Sequence, residues 1–234
     1  MKIYACLLAV VLLTGCNARA QSAQRQQDPF VLAFRALRPS VVLITMRVPS
    51  DHPKHNGEMQ DAYGTGVVVR SGPWGSEILT DEHVVEDAHN LRALVGDARR
   101  IDVEVAVRDQ DADLALLRSK TPDLPVARFA AGEIEPGTAI GIAGYPIPDA
   151  FEDEGLGTRM SVYAGRVSSI RKDALELDLP VIPGESGGPV FDAMTGNVVA
   201  IAESRFDEER AIGFGIPLDV VKHFLEGHAH PLTQ

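Results

Sequence analysis

The chain has 234 residues, 22 basic against 33 acidic side chains and a formal net charge of −11. Nucleic-acid binding rests on neutralising phosphates with Lys and Arg, so this balance argues against such a partner. With only two cysteines, Cys6 and Cys16, stability has to come from a buried core, and the length suffices for one or two.

Met1-Lys2 is followed by an apolar run over residues 3–13. The run is shorter than the roughly 20 apolar residues a spanning helix needs, and it fits the apolar segment of a secretory signal. Leu13-Thr14-Gly15-Cys16-Asn17 resembles the bacterial lipoprotein signal, in which small residues end at a cysteine. The resemblance implies a signal peptide over 1–15 and acylation of Cys16. It also implies an anchor in the bacterial cell envelope, facing the periplasm or the surface. If Cys6 leaves with the signal and Cys16 carries lipid, no disulfide staples the fold. Residues 16–28 are polar and aperiodic, as a flexible tether is.

Asp28-Pro29 starts a short helix, with Phe30, Phe34 and Leu37 at helical spacing, ending before Pro39. Strand signals then take over at 41–46, 65–69, 77–80, 91–95, 101–107 and 114–118. A polar loop holds His52 and His55. Their spacing and the missing third ligand make it a solvated loop rather than a metal site. Trp74 sits in a Pro-Trp-Gly turn and reads as turn packing. Residues 121–125 carry two prolines and look like a crossing between halves. Further strands follow at 139–144, 160–163, 165–170, 175–179, 189–192, 197–203 and 212–216, with a long acidic loop from Pro146 to Gly157. Leu218, Val221, Phe224 and Leu225 mark a closing amphipathic helix stopped by Gly227, and residues 227–234 form a tail. Many short strands with Gly and Pro turns, and helices only at the ends, predict an all-β sandwich or barrel.

The stretch Pro183-Gly184-Glu185-Ser186-Gly187-Gly188-Pro189 stands apart. Its glycines and prolines suit a tight turn that presents one hydroxyl beside inward-pointing backbone N–H groups, as an activated serine needs. A serine needs a base held by a buried acid. His83 directly follows an apolar strand, so its position can be rigid. His223, His228 and His230 lie at or beyond the last helix. Asp113 enters a strongly apolar run, where a carboxylate needs a partner. The trio is therefore His83, Asp113 and Ser186, and no cofactor or metal is called for. Gly184-x-Ser186-x-Gly188 also matches the nucleophile elbow of α/β-hydrolases, but that fold wants a helix after the serine, and Gly-Gly-Pro follows here.

Thr65-Gly66 to Val69, Ile78 to Val85, Asp113 to Arg118 and Gly184 to Pro189 come in the order and spacing of chymotrypsin-like serine proteases. The pattern most resembles the HtrA (Deg) family over about residues 29–226. The resemblance implies two six-stranded antiparallel β-barrels, the first over about 40–122 and the second over about 123–217, with the site between them. It implies a serine endopeptidase with His83 as general base, Asp113 as its orienter and Ser186 as nucleophile. Gly184 and Ser186 N–H groups would form the oxyanion hole. Ala202-Glu203-Ser204 would offer a strand to the substrate, and Val181 and Ile182 would line an aliphatic pocket. The implied substrates are polypeptides, including unfolded or misfolded envelope proteins, and relatives often form oligomers.

The sequence departs from the family in three places. The chain stops at Gln234, where the pattern would continue into PDZ domains. Glu185 stands where Asn or Asp is usual, and Glu82 where small or amide residues are usual. Carboxylates beside the site are expected to raise the pKa of His83 or perturb the oxyanion turn. The rival function is a catalytically impaired, protease-fold, peptide-binding lipoprotein.

Overall fold

The computed structural model describes residues 28–50, 57–96, 98–203 and 212–228. The signal, most of the tether, Cys16, His52, His55, His230 and Ser204 lie outside them.

Helix α1 (Pro29–Leu37) opens with the Asp28 carboxylate accepting the Phe30 N–H at 2.9 Å and Pro29 in the first turn. A 3-10 turn (Arg38–Ser40) stops it, and Ser40 Oγ donates to Leu37 O at 2.7 Å. The first half then runs through β1 (Val41–Pro49), β2 (Met59–Gly72), β3 (Gly75–Thr80), β4 (His89–Val95), β5 (Arg99–Asp102), β6 (Glu104–Asp109) and β7 (Leu114–Ser119). Their order in the sheet is β5-β4-β1-β2-β3-β7-β6, all antiparallel. The two edge strands are consecutive in the chain, with only Val103 between them. The strand expected over 101–107 breaks there, so a six-stranded closure becomes a curled, seven-stranded sheet joined by one covalent step. Buried Val103 faces the same apolar cluster as Ile44, Ile78 and Leu117, and the break lets it turn in.

The second half is a closed barrel of six strands, ordered β10-β13-β12-β11-β8-β9. They are β8 (Ala139–Gly144), β9 (Ser161–Ile170), β10 (Leu175–Leu177), β11 (Pro189–Asp192), β12 (Val198–Glu203) and β13 (Gly213–Pro217). The two strands expected over 160–163 and 165–170 are one, β9. Helices are not confined to the ends: the acidic loop contains α2 (Pro148–Asp153), entered through Ile147 in a left-handed conformation, φ 34° and ψ 57°. Helix α3 (Leu218–Gly227) closes the fold and buries Val221 and Phe224.

Three apolar clusters follow from this layout. One fills the first sheet, and a second, with Ile140, Ile142, Leu177 and Val190, fills the barrel. The third joins the halves, with Leu43, Leu79, Leu114 and Leu116 from one side and Phe191, Ile201 and Ile216 from the other. The crossing segment ties both: Ala127 donates to Val68 O, and Ala130 to Val198 O, each at 2.9 Å.

Both terminal helices reach the other half, although α3 packs mainly on its own strands β12 and β13. α1 precedes the first sheet yet lies on the barrel, where Phe30 stacks on Phe191 with ring centroids 5.6 Å apart. α3 follows the barrel, and Arg70 of β2 donates to Leu225 O and His228 O, both at 3.1 Å. Arg70 is itself held by fully buried Glu77 of β3, which Arg118 of β7 flanks on the other side at 3.0 Å. A charge buried on a central strand is tolerable only when paired in this way.

Candidate active site

Strand β3 is buried along its whole length and delivers Asp81-Glu82-His83 at its end. Glu82 N–H donates to Asp113 O at 3.1 Å, which docks this turn against the start of β7. Asp113 itself has a positive φ of 49°. It is set up by Asp109, whose carboxylate accepts the N–H groups of Asp111 and Ala112 at 3.1 Å. One Asp113 oxygen accepts the His83 N–H at 2.9 Å, and the other pairs with His83 Nδ1 at 2.7 Å. Backbone and ring of His83 are thus fixed by one carboxylate. Burial works to lower the His83 pKa, but the hydrogen bond and charge of Asp113, then Glu203 and Glu82, outweigh it and leave it raised.

The carboxylate of Glu82 is not loose beside the imidazole. Arg108 Nε donates to it at 2.6 Å, and a second guanidinium nitrogen closes a fork.

The Ser186 turn is held from several sides. Glu185 N–H donates to Ile182 O, and Gly188 N–H to Glu185 O, each at 2.9 Å. Gly184 has φ +93°, and a Cβ there would sit 2.3 Å from Tyr145 O, so only glycine fits. Thr65 is the hub. Its N–H donates to Ser186 O at 2.9 Å, its hydroxyl donates to Gly184 O at 2.6 Å, and it accepts the Tyr145 N–H at 3.1 Å. Ile147 N–H donates to Pro183 O at 2.7 Å. Among the described residues the N–H groups of Gly184 and Ser186 have no acceptor, which leaves two adjacent donors for a ligand oxygen. Glu185 is fully buried. Its Oε2 accepts the Ile182 N–H at 3.0 Å, its Oε1 has no partner among the described residues, and burial lifts its pKa to about 7.

His83, Gly184 and Ser186 line one cavity of about 520 Å³, together with Tyr63, Glu86 and Asp87. Among the described residues no hydrogen bond joins Ser186 Oγ to His83 Nε2; apo sites of this kind are often loose and tighten on substrate. A larger cavity of about 690 Å³, lined by Trp74, Arg99 and Lys120, opens elsewhere and holds none of these groups.

The expected substrate contacts fare differently. Val181 is buried in the barrel core and does not line the cavity. Ile182 is half-buried, with its N–H given to Glu185. Ala202 has no free backbone group to offer: its carbonyl accepts the Gly187 N–H at 2.9 Å and its N–H donates to Gly188 O at 2.7 Å. Glu203 is buried within electrostatic reach of His83. The sequence reading passed over Thr65, Ile147 and Asp81. Asp81 was the one with a visible signal, a carboxylate closing an apolar strand two residues before the histidine.

Comparison with known proteins comes to the same architecture. The family model described as trypsin-like peptidase domain matches residues 64–201. A probable periplasmic serine endoprotease, DegP-like, of Pseudomonas fluorescens is 26% identical over 262 residues, covering 94% of this chain and 52% of that protein. The chain spans about half the length of the curated relatives it matches. Among solved structures, an HtrA-type protease with tripeptide superposes with a TM-score of 0.69 at 22% identity, covering 85% of this chain and 62% of that one. The Rv3671c protease of M. tuberculosis in its active form gives 0.69 at 24% identity, with 88% and 86% covered. These structural likenesses speak for the fold.

Proposed function

Because the chain belongs to the trypsin-like peptidase domain family, we propose that it is a serine endopeptidase acting through His83, Asp113 and Ser186. The observation that carries this is the pairing of His83 Nδ1 with Asp113 at 2.7 Å, with His83 lining the same cavity as Gly184 and Ser186.

In this mechanism Ser186 Oγ attacks the scissile carbonyl while His83 Nε2 takes the hydroxyl proton. Asp113 holds the imidazole with Nδ1–H inward and steadies the imidazolium that forms. The carbonyl oxygen becomes an oxyanion bound by Gly184 and Ser186 N–H, donors that have no other acceptor among the described residues. His83 passes the proton to the departing amine, which leaves an acyl ester on Ser186. Water, deprotonated by His83, then hydrolyses the ester and restores the serine. Substrates are polypeptides of the cell envelope, unfolded or misfolded ones included. DegP-like relatives named periplasmic support that compartment, and acylated Cys16 would supply the anchor. Self-assembly into oligomers belongs to the same reading.

The test is labelling by a fluorophosphonate on the folded chain and on Ser186→Ala, followed by a peptide-library cleavage profile. The chain labels and Ser186→Ala does not. A folded parent that fails to label overturns the reading in favour of a vestigial, peptide-binding protein.

A further inference from the structure

Asp81 takes part in none of these steps. It is wholly buried at the end of β3. Its Oδ2 accepts the Gly187 N–H at 2.9 Å and lies 4.0 Å from His83 Nε2, and its Oδ1 has no hydrogen-bond partner among the described residues. A buried carboxylate oxygen without a donor is expensive, and one recurrent reason for it is a cation. Burial first, and then the negative charges of Asp113 and Glu203, push the Asp81 pKa well above the usual carboxylate range, and those two charges favour a cation nearby.

The imidazole is prepared in a complementary way. Asp113 holds Nδ1, so the free lone pair is on Nε2, 4.0 Å from Asp81 Oδ2, on a side chain that is 41% exposed. A histidine that ligates a metal almost always gives its other ring nitrogen to a carboxylate, a backbone carbonyl or water. The geometry points to a divalent-cation site of the zinc class, with the Asp81 carboxylate and His83 Nε2 as protein ligands and Asp113 as the outer group that orients the ring. Two ligands about 2.0–2.1 Å from one ion stand roughly 4 Å apart when opposite and about 3.4 Å apart at the tetrahedral angle, so binding draws this pair together by about half an ångström. Imidazole with carboxylate suits zinc, whereas calcium and magnesium want oxygen alone. With two protein ligands the remaining positions fall to water, so the ion exchanges. An ion on Nε2 occupies the lone pair that would take the Ser186 proton, so the bound form is inhibited. This consequence for activity rests on the protease reading; the binding itself does not.

The test uses the full chain carrying Ser186→Ala, titrated with zinc against a chromophoric chelator, with cobalt substitution as a spectroscopic check of nitrogen and oxygen ligation. One ion binds per chain. Adding Asp81→Asn, which keeps the acceptor for Gly187 N–H, weakens binding at least tenfold, as does His83→Ala. The double change His52→Ala/His55→Ala and the change His89→Ala leave it intact. In the chain with Ser186 restored, zinc slows fluorophosphonate labelling reversibly, and folded Asp81→Asn labels without that sensitivity. Equal zinc affinity in Asp81→Asn, loss of binding with His52 and His55, or no binding at millimolar zinc overturns the site. A parent that binds zinc but never labels removes the protease reading and leaves the site standing.

Discussion

Replacing Glu185 by Gln isolates one buried charge. The side chain is fully buried, one oxygen accepts the Ile182 N–H at 3.0 Å and the other has no partner among the described residues. Burial, opposed only by that N–H, raises its pKa from 4.5 to about 7. In the unfolded chain the group titrates near its ordinary value, so between the two values the folded state holds the extra proton. Stability therefore falls as pH rises through that window and levels off above it. At about 1.4 kcal/mol per unit, the difference costs the folded chain about 3 kcal/mol at pH 8. Gln matches the shape, still accepts from Ile182 and carries no charge. Urea unfolding of Ser186→Ala, which cannot cleave itself, is compared with Ser186→Ala/Glu185→Gln from pH 4 to pH 8.5. The curves coincide near pH 4 and separate in favour of Gln by about 3 kcal/mol at pH 8, or roughly 10 °C in Tm for a chain of this size. A gap that stays constant with pH, or one that widens toward acid, refutes the assignment of a protonated Glu185.

Three further outcomes follow from the same geometry. Asp113→Asn presents the wrong hydrogen-bonding pattern to His83 Nδ1 and lowers kcat by about four orders of magnitude with KM little changed, measured by peptide hydrolysis. Thr65→Val strands the Tyr145 N–H and the Gly184 carbonyl, costing about 2 kcal/mol in urea unfolding, and it slows fluorophosphonate labelling because the oxyanion turn loses its brace. Ile147→Gly releases a β-branched residue from a left-handed φ of 34° before a proline; it raises stability by about 1 kcal/mol, with the labelling rate unchanged.

Much of this architecture was legible in the sequence because it rests on local chemistry. Alternating apolar residues marked the strands, Asp28-Pro29 marked the start of α1, and the glycines around Ser186 announced a turn no other residues could make. His83 and Asp113 were legible because each sits at the mouth of an apolar strand. What escaped depended on contacts between segments distant in the chain. Thr65 braces Gly184 across 119 positions, and nothing near Thr65 shows it. The break at Val103 exists because two edges of one sheet must meet, which no local pattern records. Ala202 looked available to a substrate because the strand was visible, but not that Gly187 and Gly188 already occupy its backbone. Glu82 looked like a charge acting on the histidine, and it does help raise the His83 pKa; what the sequence did not show is that Arg108, 26 positions away, holds its carboxylate.

The terminal helices make the two halves separable only on paper. A backbone cut at exposed Gly132 would yield two fragments tied through their terminal helices: α1 sits on the barrel, and α3, packed on its own strands β12 and β13, gives its last carbonyls to Arg70. The first fragment would carry α1, which must find Phe191, along with His83 and Asp113. The second would carry α3, which must find Arg70, along with Ser186. Such a pair can complement one another when mixed, with activity appearing only on reassembly, so the fold is laid out as a split enzyme whose signal reports the meeting of its parts.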